Sequence, residues 1–374
     1  MIQGRSIAPL AAAATLFATA LAACGGDDEG SSPEPAAAPT TTSTTSAAAA
    51  DLGGVKDYLL EHTDLLTGFA ADFQEDAQAY HDLAEAAGFD YEALWSQSAT
   101  EVGPLLERMK SDWIEGNPYY ERMEGVVAGT PSLAQYDVIL DAGSSAAEDP
   151  ESAVPFDLEL SDGTVLEQPG NLYNLTEGAL WGTVPDGLPQ SSPADLDGNG
   201  ATEFGEALPD ARFLLASAQA FDRYAGELAA AGKAWEPTES DAFTALVVMV
   251  PTMSEYFGQW KESRFVLGDA SESQSFNVVS RLSDINDILA GLEVIFDGVE
   301  GRLAEVDPEQ AEQTGRELSD LRAFVEDLYS REQGGERFDP EQAEVLGTEA
   351  QDRATAIAGQ VSQAAAELGV TIEQ

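Results

Sequence analysis

Apolar positions recur at intervals of three and four along most of the chain, and that spacing predicts helices. From Leu52 to Ala87, Val55, Leu59, Leu66, Phe69, Phe73, Tyr80 and Leu83 step in this way, so one long helix with a narrow apolar seam is expected. Asp90 is positioned to cap a second helix through Leu94 and Trp95. Gly103-Pro104 and Gly116-Asn117-Pro118 read as interruptions, with Leu105, Met109 and Trp113 between them and Tyr120, Met123 and Val127 beyond. FDLELSDGTVLEQ alternates apolar and polar residues around Ser161-Asp162-Gly163, the pattern of a short β-hairpin. GNLYNLTEGALWG, Gly170 to Gly182, returns to helical spacing with Leu172, Leu175, Ala179 and Leu180.

After Pro185, Gly187, Pro189 and Pro193 close the first half, the second half is helical throughout by pattern. Leu214, Ser217, Phe221, Tyr224 and Leu228 form one seam. Thr238 with Asp241 fits a capping box ahead of Phe243, Leu246, Val250, Met253, Phe257 and Trp260, and Pro251 should kink that helix. Leu282, Ile285, Leu289, Leu292, Phe296 and Val299 make the next stripe, flanked by Arg281 and Asp284; DPEQAE, at Asp307 and again at Asp339, puts proline at a first helical position. The expectation is an all-α fold of two antiparallel bundles, residues 51–190 and 208–374. A small β-hairpin is inserted in the first, and an EF-hand-like loop, 191–207, lies between them.

The N-terminal end follows other rules. Residues 1–23 carry Arg5, an Ala/Leu-rich apolar core too short to span a membrane, and Leu21-Ala22-Ala23 directly before Cys24. This looks like a bacterial lipobox, in which Cys24 is lipidated and anchors the protein to the membrane from outside the cytoplasm; an ordinary cleaved signal is the alternative. Residues 24–50, rich in Gly, Ser, Thr, Pro and Ala, lack the apolar surface to offset the entropy of ordering and read as a disordered tether. Cys24 is the only cysteine, so no disulfide is expected.

Charge narrows the function. The 374 residues include 68 acidic and 17 basic ones, a net charge of −51. Such a surface repels phosphate backbones, which excludes nucleic acid as a partner, and it attracts cations. Solubility of an exported protein is the plainer explanation of the same excess.

Two stretches set polar oxygens one helical turn apart: Asn174 and Glu177 in GNLYNLTEGALWG, and Glu121 and Glu124 in YYERMEGVV. Facing helices often build metal sites from such pairs, although a solvated acidic strip would give the Glu121–Glu124 spacing too. Both segments resemble the imelysin-like family, which includes the EfeO/EfeM-type components of iron uptake and whose motif reads His-x-x-Glu before an apolar, Trp-Gly-like ending. Asn174 stands where that histidine would be, Met123 at an isoleucine place and Gly125 where a proline is usual. The resemblance, which extends from about Leu52 to Leu368, implies a metal site of Glu121, Glu124, Asn174 and Glu177 for iron or another divalent or trivalent ion, and a permease or other uptake component as partner. It also implies a peptidase activity as an alternative. The residues argue against that activity, because H-E-x-x-H, G-x-S-x-G and a free nucleophilic cysteine are all missing. Clustered carboxylates need a cation beside them, either a metal or an arginine such as Arg122 or Arg264. A scaffold that has kept the fold and lost the site is the third alternative.

DLDGNGATEFGE, Asp195 to Glu206, fits the calcium-loop pattern. Asp195, Asp197 and Asn199 would give side-chain oxygens, Ala201 its carbonyl, Glu203 a water-mediated contact and Glu206 a bidentate carboxylate, with Gly200 making the turn. Its Pro/Ser-rich lead-in cannot be an entering helix, so an isolated structural calcium site is expected, an Asp/Gly-rich linker being the alternative. Of the two histidines, His62, on the seam, is expected in the core with hydrogen-bonded nitrogens, a ligand role being the alternative, and His81 at the surface.

Overall fold

The computed structural model describes residues 50–373. The signal segment 1–23, Cys24 and the tether as far as residue 49 lie outside the described residues.

Helix α1 (Gly53–Ala86) runs unbroken, as its seam predicts, with Leu59, Leu66, Phe73 and Tyr80 fully or almost fully buried. Helix α2 (Tyr91–Gly129) starts at Asp90, whose side chain accepts from the Ala93 amide at 3.0 Å. The interruptions expected at Pro104 and Pro118 do not occur. The helix continues through both, and its one non-helical residue is Ser98 (φ −130°). An interior proline costs about 3 kcal/mol, but α2 is buried along its length by Leu106, Met109, Trp113, Tyr120 and Met123, and that packing overrides local propensity.

Small residues let α2 sit at the centre. A Cβ at Gly129 would meet the Ala245 Cβ at 2.5 Å, and one at Gly291 would meet the Arg122 carbonyl oxygen at 2.4 Å. Two later helices therefore approach its backbone closely: α6 (Glu239–Met249) and α9 (Arg281–Val306). Between them in sequence come a 3₁₀ turn at Val250–Thr252 with Pro251, α7 (Met253–Glu262) and α8 (Arg264–Leu267). The Thr238–Asp241 capping box forms, and Pro251 bends the chain as expected. Helices α10 (Pro308–Gln333) and α11 (Pro340–Leu368) each begin with proline after an aspartate cap and complete the second group of helices.

Packing does not follow the division at 190 and 208. Helix α5 (Ala211–Ala234), assigned by its position in sequence to the second bundle, lies along α1 in the first. The reason is aromatic: Phe221 packs edge-on to Phe69 at 6.0 Å and against Trp113 at 5.6 Å. The hairpin is present as β1 (Leu158–Glu159) and β2 (Val165–Leu166), antiparallel, with Leu158 opposite Leu166 and β1 packed against α5. No helix among the described residues is long and apolar enough to cross a membrane.

His62 is buried, as expected, but both ring nitrogens lack a hydrogen-bond partner among the described residues; the ring packs at a tilt of 53° against Tyr58, 4.2 Å between centroids. His81 departs from expectation. It is buried, because the hairpin folds over it and Ser161 Oγ lies 3.0 Å from its Nε2.

Candidate metal centre

Three elements converge on the interior of the molecule. Helix α2 brings Glu121 and Glu124 one turn apart. A short helix, α3 (Ala134–Asp137), passes into a π-helical turn, Val138–Ala142, and brings Asp137 and Asp141. The wider turn ends at Gly143, whose amide donates to the Val138 carbonyl at 3.0 Å, and a Cβ there would lie 2.1 Å from that oxygen. Helix α9 brings Arg281 and Asp284 on its first turn.

Arg281 is the hub. Its Nη2 donates to Asp141 Oδ2 at 3.1 Å, Nη1 to Asp284 Oδ2 at 3.1 Å and Nε to Gln259 Oε1 at 2.8 Å. Glu121 Oε2 lies 3.8 Å from Nη1. The guanidinium is stacked between the rings of Phe276, at 3.5 Å, and Tyr256, at 5.0 Å. Around it, Tyr256 Oη donates to Glu124 Oε1 at 2.6 Å, Tyr120 Oη to Asp137 Oδ1 at 2.7 Å and Asn117 Nδ2 to Asp284 Oδ1 at 3.2 Å.

One arginine does not satisfy this many carboxylates. Glu121, Glu124 and Asp141, exposed by 1%, 2% and 5%, each offer an oxygen within 4.8 Å of the others. Glu121 Oε2, Glu124 Oε2 and Asp141 Oδ1 have no hydrogen-bond partner among the described residues. Burial first, and then the neighbouring carboxylates, push Glu121, Glu124 and Asp137 up. Glu124 rises to about 8, Asp137 to about 7 and Glu121 well above its ordinary value. Burial lifts Asp284 to about 7 against the pull of Arg281. Burial works against the Arg281 charge as well, but Asp141, Asp284 and Glu121 hold it protonated.

Helix α4 (Leu172–Trp181) carries the other predicted pair. Asn171 caps it by accepting from the Asn174 amide at 2.9 Å, and Gly182 ends it at φ 73°. Asn174 is half-buried and lines a cavity of about 590 Å³ together with Glu124, Asp137, Asp141, Tyr256 and Arg281. Glu177 is buried beside the same groups and pushed up to about 7 by burial. It is not one of the three mutually close carboxylates, and its Oε1 accepts from the Asn277 amide at 3.1 Å.

The neutralising arginine is therefore Arg281, not Arg122 or Arg264. Arg122 faces Asp287 at 3.5 Å and Arg264 pairs with exposed Asp269. Asp137 and Asp141 were not anticipated. Their four-residue spacing before Gly143 was the available signal, hidden in a helix too short to show a stripe.

The loop from Asp195 to Glu206 forms a second cluster near the surface. Asp195, Asp197 and Glu206 each offer an oxygen within 4.8 Å of the others. Asp195 accepts from the amides of Gly198, Asn199 and Gly200, and Glu206 from those of Leu196, Asp197 and Glu203. Asn199 Oδ1 accepts from Ala201 N at 2.8 Å, and Gly200 takes φ 88°. The loop is entered from β3 (Ser192–Pro193), not from a helix, and β3 pairs with β4 (Ala207–Leu208), which follows it. Lys110 of α2 donates to the Gly205 carbonyl at 2.7 Å.

A family model described as imelysin matches residues 54–364, which takes in every element of the inner site. No curated protein matches the chain.

Proposed function

The chain belongs to the imelysin family, and from that premise we propose that it is an extracytoplasmic cation-binding protein whose inner site is built from Glu121, Glu124 and Asp141. The observation that carries this reading is the set of three buried carboxylate oxygens, one from each residue, without a hydrogen-bond partner among the described residues. The same three residues each offer an oxygen within 4.8 Å of the others, and buried acceptors left without a hydrogen bond in so close a group suit a hard cation. Oxygen donors suit iron(III), manganese, calcium or magnesium over zinc or copper, and Asn174, where the family has histidine, adds no soft ligand. A cation bound there would supply the positive charge that Arg281 alone does not.

In the physiological form of this reading the protein is a lipoprotein held to the membrane through acylated Cys24. It captures iron and hands it to a permease, as in EfeO/EfeM-type uptake. The acidic surface supports the reading by concentrating cations near the cavity mouth. A second cation, calcium, is assigned to the loop, with Asp195, Asp197, Asn199, the Ala201 carbonyl, Glu203 through water and Glu206 as ligands.

Metal analysis of protein purified without chelator tests the inner site. A hard metal is expected to co-purify and to be lost in Glu121→Gln/Asp141→Asn. Protein that, once stripped, takes up no iron(III), manganese(II) or calcium at that position contradicts the reading. Mass spectrometry of membrane-extracted protein checks the anchor, which predicts an acylated Cys24 as the first residue.

A further inference from the structure

The segment between α8 and α9 closes one side of the cavity: Ser273, Gln274, Ser275 and Phe276 all line it. Phe276 has φ 56°, in the left-handed region that a bulky side chain occupies only when its surroundings hold it there. The surroundings are two contacts made at adjacent residues. The Phe276 ring covers the Arg281 guanidinium at 3.5 Å, and the Asn277 amide donates to Glu177 Oε1 at 3.1 Å. Asn277 is buried, and its side chain folds the strap back on itself, donating to the Ser273 carbonyl at 2.8 Å and accepting from the Arg264 amide at 3.3 Å. A second anchor lies just beyond α4, where Thr183 Oγ1 donates to the Gln274 carbonyl at 2.9 Å.

Both anchors belong to α4 and its exit. We infer that Glu177 is a positioning residue, which latches the 273–277 strap over the cavity and governs entry and release of the cation, and is not itself a ligand. This rests on the reading of Glu121, Glu124 and Asp141 as the cation site and adds the route by which that site is reached. The two roles make different demands. A hard-cation ligand needs the negative charge of Glu177, whereas a latch needs only an oxygen that accepts the Asn277 N–H, which glutamine also provides.

The test combines amide hydrogen exchange with the kinetics of terbium(III), a hard trivalent probe, on the intact protein in a Glu206→Gln background that silences the outer loop. Exchange at the Asn277 amide reports opening of the strap and is read without any cation. Glu177→Ala is expected to speed that exchange at least about tenfold, since the buried acceptor of the Asn277 N–H is lost. Terbium association and release should both accelerate, leaving affinity within about threefold, because opening a gate changes rates more than equilibrium. Glu177→Gln should keep most of the protection and near-normal kinetics. Thr183→Val, a milder change, should give a smaller acceleration of exchange across Ser273–Asn277 if the alanine variant does not fold.

The inference is overturned if Glu177→Ala leaves Asn277 exchange unchanged. It is overturned equally if Gln and Ala both weaken terbium affinity at an unaltered association rate, which is the behaviour of a ligand. Absence of terbium binding in the unmutated inner site would contradict the proposed function, while the exchange result would still decide the latch.

Discussion

The two carboxylate clusters answer the same electrostatic problem in opposite ways. In the loop from Asp195 to Glu206, backbone amides point at Asp195 and Glu206, so the negative charge is largely satisfied by the chain itself and by nearby water. In the interior, Glu121, Glu124 and Asp141 are almost wholly buried; one guanidinium pairs with Glu121, Asp141 and Asp284, and Glu124 has only the Tyr256 hydroxyl among the described residues. The loop is a short local device that nearly any scaffold can carry. The inner cluster exists only because α2, the π-helical turn and the start of α9 meet, so it is a property of the whole fold. Its unmatched charge is destabilising until a cation or protons offset it.

The largest expected effect follows from Arg281. Replacing it with alanine leaves Glu121, Asp141 and Asp284 without an ion-pair partner among the described residues, and a loss of about 3–5 kcal/mol is expected in chemical denaturation. A hard cation should restore part of that loss. Asp195→Asn in the loop should cost well under half as much, and equal losses at the two positions would erase the contrast.

Next in size is Asp141→Asn, which removes a proposed ligand while keeping its shape. Inner-site affinity should fall by more than about 100-fold, beyond the 10–100-fold typical of losing a residue that only supports a ligand. Isothermal titration with manganese(II) measures it.

pH sharpens the comparison further. Glu124 is raised from 4.5 to about 8, so between those values the folded protein holds more protons than the unfolded chain. Stability of the metal-free protein should therefore fall as pH rises through this window. Cation binding must displace the same protons, so affinity should rise with pH over the same range. Melting temperature against pH, with and without manganese(II), gives both slopes, and a metal-free protein that gains stability from pH 5 to 8 would reverse the sign.

Smaller effects belong to the periphery. Calcium at about 100 times its dissociation constant should stabilise the loop-intact protein by about 2.7 kcal/mol and the Glu206→Gln variant by much less, read as a shift of the unfolding midpoint. Asn174→His should add modest zinc affinity, since it returns an imidazole to the cavity wall without disturbing the carboxylates.

Much of this molecule was legible in its sequence because helices announce themselves by period. The long seam of α1, the cap at Asp90, the capping box at Thr238 and the prolines after Asp307 and Asp339 all read correctly, since each depends on neighbours within one turn. What failed depends on distant partners. Pro104 and Pro118 look like breaks until the burial of α2 is known, and α5 joins α1 because of aromatic contacts that no local window contains. His81 looks exposed until the hairpin covers it.

The site divides along the same line. Of the four residues singled out by one-turn spacing and family likeness, Glu124 and Asn174 line one cavity, Glu121 lies close to Glu124 and Asp141, and Glu177 is outside that trio. Asp141 lies in a turn of non-standard width, and the pairing of Arg281 with it spans 140 residues. Periodicity carries no information about either.

The most direct test of the central claim is an anomalous difference map from crystals soaked in manganese(II) at pH 8, where the buried acids give up protons most readily. The account predicts a peak within about 2.0–2.6 Å of an oxygen of each of Glu121, Glu124 and Asp141. A map with density only in the Asp195–Glu206 loop, or with none at either cluster, would contradict it.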